Sequence, residues 1–269
     1  MDQADALLEK GGFERCLLTT GWWVDMAPKV SVVLPTYNHG EFIEQSVDSV
    51  LGQTLEDFEL IVVDDGSVDD TLQRLGGYHD PRMRVVALGE NRKIPTALNE
   101  GFRRASGQYW TWTSADNWML PRCLATLAGA LDGHPDVGLV YAGHYEVGDH
   151  EGVSIKDPFD HRRLVEGENI IGPCFMYRRS VATAVGGYNP DRFGAEDYDM
   201  WLRMAACCGV LALREVLYVY RYHQKSVSVQ NARRVEKACR TIAQIQQGKG
   251  SAGRKGGRSQ KTAGGLGDA

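Results

Sequence analysis

The chain has 269 residues, of which 43% are hydrophobic and 24% are charged, and its formal net charge is -5. This balance is typical of a soluble globular protein and excludes disorder of the whole chain, while the length suffices for one large α/β core. No apolar run approaches the roughly 18 residues of a membrane span, and the six cysteines contain no C-x-x-C pair, so we expect a reduced cytosolic protein without a structural zinc site.

Charge is distributed unevenly along the chain. Residues 232–269 contain nine Lys and Arg against two Asp and Glu, so the rest of the chain is more acidic than the net charge suggests. An acidic main part argues against a nucleic-acid-binding protein, which needs a basic face to neutralise phosphates. The basic end is suited to an anionic lipid surface. We therefore expect a cytoplasmic protein with peripheral contact at the inner face of the membrane.

The predicted elements begin after an N-terminal extension, residues 1–27, which shows no clean hydrophobic period. Residues 30–34 form a β-branched run that predicts a strand. In residues 41–51 the apolar side chains recur at helical spacing, which predicts a helix. Asn38 is followed three residues later by Glu41, and this pair resembles a capping box at the start of that helix.

The strand-helix unit then repeats. Residues 60–63 are apolar on both faces, as in a buried parallel strand, and the sequence DDGS follows before a helix that starts near Asp69. A third strand, residues 84–88, leads to a helix over residues 96–105, and a fourth strand covers residues 109–113. This alternation predicts an α/β fold with a Rossmann-like, mostly parallel twisted sheet and helices on both faces.

The pattern changes after about residue 120. The elements predicted there are a helix over 121–131, a strand over 137–145, a long mobile loop over 148–169, an apolar segment over 170–177, a helix over 196–208 and the last strands over 210–222. A C-terminal helix is expected over residues 226–247. Residues 248–269 are rich in Gly, Lys and Arg, which predicts a disordered basic tail.

Three carboxylate clusters fall where predicted strands end or a helix begins. Their members are Asp64 with Asp65, Asp116, and Glu196 with Asp197 and Asp199. The carboxyl ends of parallel strands converge on one crevice, so separate clusters there can share one ligand. Taken singly, each cluster is equally well explained by turns and helix caps, which Asp and Asn favour for their local hydrogen bonds.

In combination, five motifs are more specific. They lie at residues 30–38, 61–67, 97–101, 114–117 and 195–203, and read VSVVLPTYN, IVVDDGS, ALNEG, SADN and AEDYDMWLR. In this order they resemble glycosyltransferase family 2, whose members are inverting enzymes with the GT-A nucleotide-sugar fold. The resemblance covers about residues 28–225. It implies one GT-A domain with a nucleotide-binding part at about 28–119 and an acceptor part at about 120–225.

The resemblance implies a set of nucleotide-binding residues. The loop at residues 35–38 would lie beside the base, and Asp65 would contact the base by a hydrogen bond. Arg92 or the adjacent Lys93 would lie near the diphosphate, and the pattern leaves that choice open. Asp116 matches the carboxylate of the D-x-D region that contacts the ribose and the metal. The assigned residues are Pro35, Thr36, Tyr37, Asn38, Asp65, Arg92, Lys93, Ser114 and Asp116.

The resemblance also implies two catalytic residues, Asp197 and the neighbouring Glu196. Asp197 matches the family's catalytic base. Inverting transfer requires a base because an acceptor hydroxyl must lose its proton as it attacks the anomeric carbon. The two acids could instead stabilise the N-terminus of the following helix through its dipole, and the two roles are compatible.

The region around Asp116 departs from the D-x-D-D pattern, because Ser114 and Asn117 stand in place of the outer carboxylates. Mg²⁺ and Mn²⁺ prefer hard oxygen ligands and are often held by one or two carboxylates plus substrate phosphates. We therefore expect a weakly held Mg²⁺ or Mn²⁺ on Asp116, the Asn117 amide oxygen and His223. His223 resembles the histidine that some GT-A enzymes add as a metal or diphosphate ligand, although a packing role fits a lone histidine equally well.

The expected reaction is inverting transfer of a sugar from a nucleotide diphosphate sugar, with a UDP-sugar as the expected donor. The acceptor would be a hydroxyl of a glycan or a lipid-linked sugar, in polysaccharide or glycolipid assembly at the cell envelope. Ser114 and Asn117 motivate an alternative, a catalytically inactive nucleotide-sugar binding module, although the retained Asp197 counts against it. A further alternative, a nucleotidyltransferase, needs a glycine-rich, basic loop after its first strand, and residues 35–40 lack one.

Overall fold

The computed structural model describes residues 15–17, 23–25, 27–226 and 235–245. The predicted basic tail over residues 248–269 lies outside these residues. Most of the predicted N-terminal extension and part of the predicted C-terminal helix also lie outside them. Residues 235–245 are helical and lie within the predicted C-terminal helix.

The strands of the described residues fall into a small hairpin and one large sheet. They are β1 (Arg15–Leu17), β2 (Trp23–Asp25), β3 (Val30–Thr36), β4 (Phe58–Asp64), β5 (Met83–Ala87), β6 (Tyr109–Trp112), β7 (Trp118–Met119), β8 (Val137–Gly148), β9 (Gly152–Ser154), β10 (Phe175–Arg178) and β11 (Gly209–Tyr222). Strands β1 and β2 pair antiparallel with each other and stay apart from the sheet that the other strands form.

Helices alternate with these strands. They are α1 (Gly40–Leu51), α2 (Thr71–Leu75), α3 (Ile94–Arg104), α4 (Cys123–Gly133), α5 (His161–Val165), α6 (Arg179–Val185), α7 (Glu196–Ala205) and α8 (residues 235–245). Among the residues described, none of these helices is both long enough and apolar enough to cross a membrane.

The large sheet has the strand order β5-β4-β3-β6-β10-β8-β11-β7, with β9 paired to β8. Strands β5, β4, β3 and β6 are parallel to one another, and so are β8 and β11. Strand β10 is antiparallel to both of its neighbours, β6 and β8. The long pairings are therefore parallel, as predicted, while short antiparallel pairings make the second half of the sheet mixed.

Helices cover both faces of the sheet, which explains why β3 and β4 are buried at every residue. Helices α1 and α4 pack against one face of the sheet. Helices α3, α7 and α8 pack against the other face. Gly101 lets α3 lie directly on β3, because a Cβ at this position would come within 2.4 Å of Val33 Cγ1.

The start of α1 differs from the predicted capping box. His39 is the N-cap residue and makes no side-chain capping bond. Asn38 adopts a left-handed conformation with φ of 56°, which asparagine tolerates, and its side-chain oxygen accepts the Val68 N–H at 2.8 Å. Asp69 Oδ2 accepts the Gly40 N–H at 3.0 Å. The first turn of α1 is thus satisfied from the loop after β4.

The predicted loop over residues 148–169 is wrong, because this segment contains β9 and α5. Strand β9 pairs with β8, and α5 is anchored by the fully buried Leu164. The two-residue strand β7 was not predicted, since two residues show no period. The predicted last strands are one long strand, β11, whose register against β8 shifts at several points.

Candidate functional site

The loops after β3 and β4 are joined by hydrogen bonds at one edge of the sheet. The Asp65 N–H donates to the Thr36 carbonyl at 2.8 Å. The Asn38 N–H donates to Ser67 Oγ at 2.9 Å, and Asn38 Oδ1 accepts the Val68 N–H. The two loops therefore form one unit in which the predicted Asn38 and Asp65 have fixed places.

Asp65 also receives a bond from the loop before α3, since the Arg92 N–H donates to Asp65 Oδ1 at 2.8 Å. Burial raises the pKa of Asp65, which is only 4% exposed. The Arg92 guanidinium itself pairs with Glu90 at 3.0 Å. Lys93 Nζ lies 5.8 Å from the centre of the Phe193 ring, so Arg92 and Lys93 point to different neighbours.

The remaining predicted residues of this loop divide into buried and exposed ones. Pro35 lies inside β3 and is buried, whereas Tyr37 is 39% exposed. Thr36 Oγ1 and Asp64 Oδ1 are buried and have no hydrogen-bond partner among the described residues. Two polar atoms without a partner and an exposed ring thus belong to the same pair of loops as Asp65.

Asp116 and His223 meet although 107 positions separate them in the chain. Asp116 follows β6 and His223 follows β11, and His223 Nε2 lies 2.9 Å from Asp116 Oδ2. The Phe42 ring lies 5.0 Å from the His223 ring, centre to centre. His39, which the sequence analysis did not select, feels the charges of both residues, and burial lowers its pKa. His39 directly follows the predicted site residue Asn38, and this adjacency in the sequence could have identified it.

Asn117, the predicted amide ligand of the metal, has a backbone partner. Its side chain is buried, and its Oδ1 accepts the Arg221 N–H at 2.8 Å. The Arg221 guanidinium packs over the rings of Phe42 and Trp118, at 4.6 and 5.1 Å. Asn117 therefore fixes the end of β11, two residues before His223. The Ser114 carbonyl accepts a bond from Ser46 Oγ at 3.0 Å and so holds α1 against this loop.

These contacts test how well the site fits Mg²⁺ or Mn²⁺. Within the described ranges, no three His, Cys, Asp or Glu side chains are grouped so as to hold a metal ion. Asp116 and His223 supply one oxygen and one nitrogen ligand, whereas the Asn117 oxygen already accepts a backbone N–H. The two residues fit a divalent ion only if substrate oxygens complete its coordination.

Glu196 and Asp197 open α7 at the other part of the candidate site. Asp197 Oδ2 accepts a bond from Asn169 Nδ2 at 2.9 Å, and Oδ1 accepts the Tyr198 N–H at 2.6 Å. Burial raises the pKa of Asp197. Burial, together with the charge of Asp197, raises the pKa of Glu196 to about 8, and Glu196 Oε2 accepts the Gly194 N–H. Asn169 lies in the segment predicted to be a loop, so no local signal identified it.

Asp199, the third acid of this cluster, is structural. It accepts bonds from Arg203 one helical turn later, at 2.8 and 2.9 Å. Arg203 in turn donates to the carbonyls of Val185 and Gly187. This pair ties α7 to the end of α6.

The motif at residues 97–101 joins the two halves of the molecule. The Asn99 amide donates to the Tyr188 carbonyl at 2.8 Å and accepts the Tyr188 N–H at 2.9 Å. Trp112 Nε1 donates to the Tyr188 hydroxyl at 2.9 Å. Tyr188 also feels the charges of Glu196 and Asp197. Strand β6, which precedes Asp116, is thereby connected to the acidic pair on α7.

Comparison with known sequences identifies relatives. Residues 31–186, more than half of the chain, match the model of Glycosyl transferase family 2. The chondroitin synthase of Escherichia coli is 27% identical over 208 residues, which are 75% of this chain and 30% of the synthase. The chain spans 35%, 65% and 20% of the length of the first curated relatives that it matches.

Solved structures share the fold. Staphylococcus aureus TarS in complex with UDP-GlcNAc has a TM-score of 0.65 at 20% identity, over 74% of this chain and 60% of that chain. The Pyrobaculum calidifontis mannosyltransferase PcManGT, in complex with GDP-Man and Mn²⁺, has a TM-score of 0.59 at 21% identity, over 96% and 81% of the two chains. The predicted GT-A fold is confirmed.

Proposed function

The chain belongs to glycosyl transferase family 2, and we propose that it transfers a sugar, with inversion, from a nucleotide diphosphate sugar to an acceptor hydroxyl. The observation that carries this proposal is the placement of Asp197, a carboxylate oriented by bonds to both oxygens at the opening of α7. The complexes of fold neighbours with UDP-GlcNAc and with GDP-Man support a nucleotide-sugar donor. A UDP-sugar is the donor that we propose.

In this proposal Asp197 is the general base. The acceptor oxygen attacks the anomeric carbon from the face opposite the nucleotide, and its proton passes to an Asp197 oxygen. The bond between the anomeric carbon and the diphosphate oxygen breaks, and its electron pair leaves with the nucleotide diphosphate. Burial raises the pKa of Asp197 and so makes its carboxylate a stronger base than a solvated aspartate.

Glu196 has a supporting role rather than that of the base. Its pKa of about 8 keeps it protonated at neutral pH, and a protonated carboxyl cannot accept the acceptor's proton. A neutral Glu196 also limits the negative charge beside Asp197, which must remain ionised to act. Its bond from the Gly194 N–H holds the turn that precedes α7.

The donor nucleotide would lie along the loops after β3, β4 and β6. Asp65 accepts a bond from the base, Tyr37 packs against the base with its exposed ring, and Asp116 contacts the ribose. Arg92 or Lys93, together with His223, lies near the diphosphate. Asp116 and His223 would hold Mg²⁺ or Mn²⁺, which when bound offsets charge on the leaving diphosphate.

A catalytically inactive nucleotide-sugar binder remains the second candidate, and one observation favours it. The Asn117 side-chain oxygen already accepts the Arg221 N–H, and the amide has no charge to replace the absent carboxylate. Donor hydrolysis by the purified protein separates the two candidates. Metal-stimulated release of nucleotide diphosphate excludes the inactive binder.

The direct experiment is a thermal-shift screen with UDP-, GDP- and dTDP-sugars, each with and without Mn²⁺. A ligand that binds only the folded state raises the melting temperature by mass action. We expect a UDP-sugar to give the largest shift and the shift to grow with Mn²⁺. If no nucleotide sugar shifts the melting temperature, the proposed function is wrong.

The acceptor that we propose is a glycan or a lipid-linked sugar in polysaccharide or glycolipid assembly. The name of the chondroitin synthase, a polysaccharide-forming relative, supports this class. We further propose a cytoplasmic protein that contacts the inner face of a membrane through its basic C-terminal residues.

A further inference from the structure

A second cluster of titratable side chains lies in the acceptor part, outside the residues assigned so far. It comprises His144 on β8, Glu146 two residues later, and Lys156 just after β9. Gly172 closes the cluster, because a Cβ at Gly172 would come within 3.0 Å of Lys156 Nζ and 3.6 Å of His144 Cε1. The absence of a side chain at Gly172 leaves room beside the ammonium and the imidazole.

His144 is 6% exposed and offers an unused polar atom. Its Nε2 lies 3.4 Å from Glu146 Oε1, and its Nδ1 is buried without a partner in the described part of the chain. Burial, helped by the charge of Lys156, lowers the pKa of His144 to about 4, so the ring is neutral. A neutral ring that donates its Nε2–H to Glu146 presents Nδ1 as an acceptor for a hydroxyl.

Lys156 is half-buried, and burial lowers its pKa. The charges of Cys174 and Glu146 act in the opposite direction and raise this pKa. Among the residues that the structure describes, no hydrogen bond or ion pair is formed by its ammonium group. A desolvated ammonium without a close anion is unfavourable, and an anionic ligand removes that penalty.

The cluster is linked to the proposed base. The Gly172 N–H points at Asn169 Oδ1, 3.4 Å away, and the Asn169 amide donates to Asp197 Oδ2 at 2.9 Å. One short segment therefore contacts Asp197 at one end and the space beside Lys156 and His144 at the other. The segment 169–172 thus links the proposed base to the cluster.

We propose that Lys156 and His144 form an acceptor subsite for a sugar that carries an anionic group, with Lys156 binding the anion and His144 Nδ1 accepting an adjacent hydroxyl. The anion is a carboxylate, as in a sugar acid, or a phosphate, as in a sugar phosphate. The inference rests on the proposed function for its link to catalysis, but the binding itself is measurable without turnover.

The experiment measures binding of three probes to the full chain at low salt by ligand-observed NMR titration. Methyl glucuronide supplies a carboxylate, glucose 6-phosphate supplies a phosphate, and methyl glucoside is the neutral reference. We expect at least one charged probe to bind about tenfold more tightly than methyl glucoside, since hydrogen bonds to ionised groups are the stronger ones. The charged probe that binds more tightly than methyl glucoside shows whether the anion is a carboxylate or a phosphate.

Variants assign the preference to the cluster. Lys156→Met and Lys156→Gln should remove the preference for the charged probe and leave methyl glucoside binding unchanged. Lys237→Met, the same change at an exposed lysine on α8, should keep the preference. His144→Phe should weaken methyl glucuronide and methyl glucoside alike. Equal binding of all three probes to the wild type, or a preference that survives in both Lys156 variants, overturns the subsite.

The same samples separate this inference from the proposed function. Calorimetry with UDP reports on the nucleotide site, which shares no residue with the cluster. UDP binding without discrimination among the probes overturns the subsite and leaves the glycosyltransferase proposal intact. Discrimination that depends on Lys156 in a protein that binds no nucleotide supports the subsite and refutes the donor assignment.

Discussion

The part proposed to bind the donor (residues 28–119, the donor half) and the part proposed to bind the acceptor (residues 120–225, the acceptor half) hold their candidate site residues in different ways. In the donor half, loops from separate strands bond to each other, and Asp65 is fixed by the Arg92 N–H. In the acceptor half, Glu196 and Asp197 are held mainly by their own turn, and Asn169 supplies the one long-range bond to Asp197 in the described residues. The loops of the donor half thus hold one another in place, whereas the acidic pair of the acceptor half depends mainly on its own turn.

The largest effect that follows from this contrast is expected at Asp197. Asp197→Asn keeps the shape and one of the two acceptor oxygens but removes the base, so turnover should fall at least about 100-fold. Nucleotide affinity should stay nearly unchanged, because that affinity belongs to the donor half. Steady-state turnover and calorimetry with the nucleotide measure the two quantities.

Glu196→Gln is the matched control for this substitution. Glu196 is protonated at neutral pH, so the neutral amide should retain most of the activity. If Glu196→Gln is as damaging as Asp197→Asn, or if Asp197→Asn turns over like the wild type, the base is assigned to the wrong residue.

The second effect concerns the junction at Asp116, where the two halves meet through His223. Asp116→Ala should abolish stimulation by Mn²⁺. Asn117→Ala should raise the Mn²⁺ concentration for half-maximal activity about 10- to 100-fold, because it releases the Arg221 N–H and with it the position of His223. Asn117→Asp retains an acceptor for that N–H and should resemble the wild type. A clearly lower Mn²⁺ requirement in Asn117→Asp would show instead that residue 117 ligates the ion directly.

The third effect lies within the donor half. Asp65→Ala should weaken nucleotide binding by about 1 to 3 kcal/mol, which is the range for losing a hydrogen bond to a charged group. Asp70→Ala serves as the control, since Asp70 forms a surface ion pair with Arg74 that contributes little. Calorimetry measures the affinity of both variants for UDP. Equal affinities would show that Asp65 does not contact the nucleotide base.

A further effect, on stability rather than on turnover or binding, is a pH dependence that arises in the acceptor half. The pKa of Glu196 is raised from 4.5 to about 8, so the folded chain retains a proton that the unfolded chain releases between these values. Stability therefore falls as pH rises through this window, and the loss is complete above it. Glu196→Gln should show a shallower decline in melting temperature between about pH 5 and about pH 8. Parallel curves for the variant and the wild type would contradict the raised pKa.

The smallest effect on catalysis is expected from the segment beyond both halves. Removal of residues 248–269 should leave donor hydrolysis unchanged, because this Gly-rich segment has little apolar surface to bury. Co-sedimentation with anionic liposomes should decrease. Equal sedimentation of the full and shortened chains would refute the membrane contact.

The same contrast explains what the sequence could predict. In the donor half the strand-helix alternation and the residues at strand ends are local patterns, and the structure brings Asn38, Asp65 and Asp116 to one edge. The capping box at Asn38 was wrong because the loop after β4 supplies the bonds instead. In the acceptor half the pairing of β8 with β11 joins residues far apart in the chain. The short elements β7, β9 and α5 depend on such partners and show no period of their own.

The position of β10 has a consequence for how the molecule is made. Strand β10 lies between β6 and β8 in the sheet but follows both in the chain. While residues 175–178 are still inside the ribosome, the facing edges of β6 and β8 have unpaired backbone groups. Such edges favour aggregation. The segment that delivers β10 also carries Asn169, which orients Asp197. The segment that completes the sheet between β6 and β8 is therefore also the one that supplies a partner for Asp197.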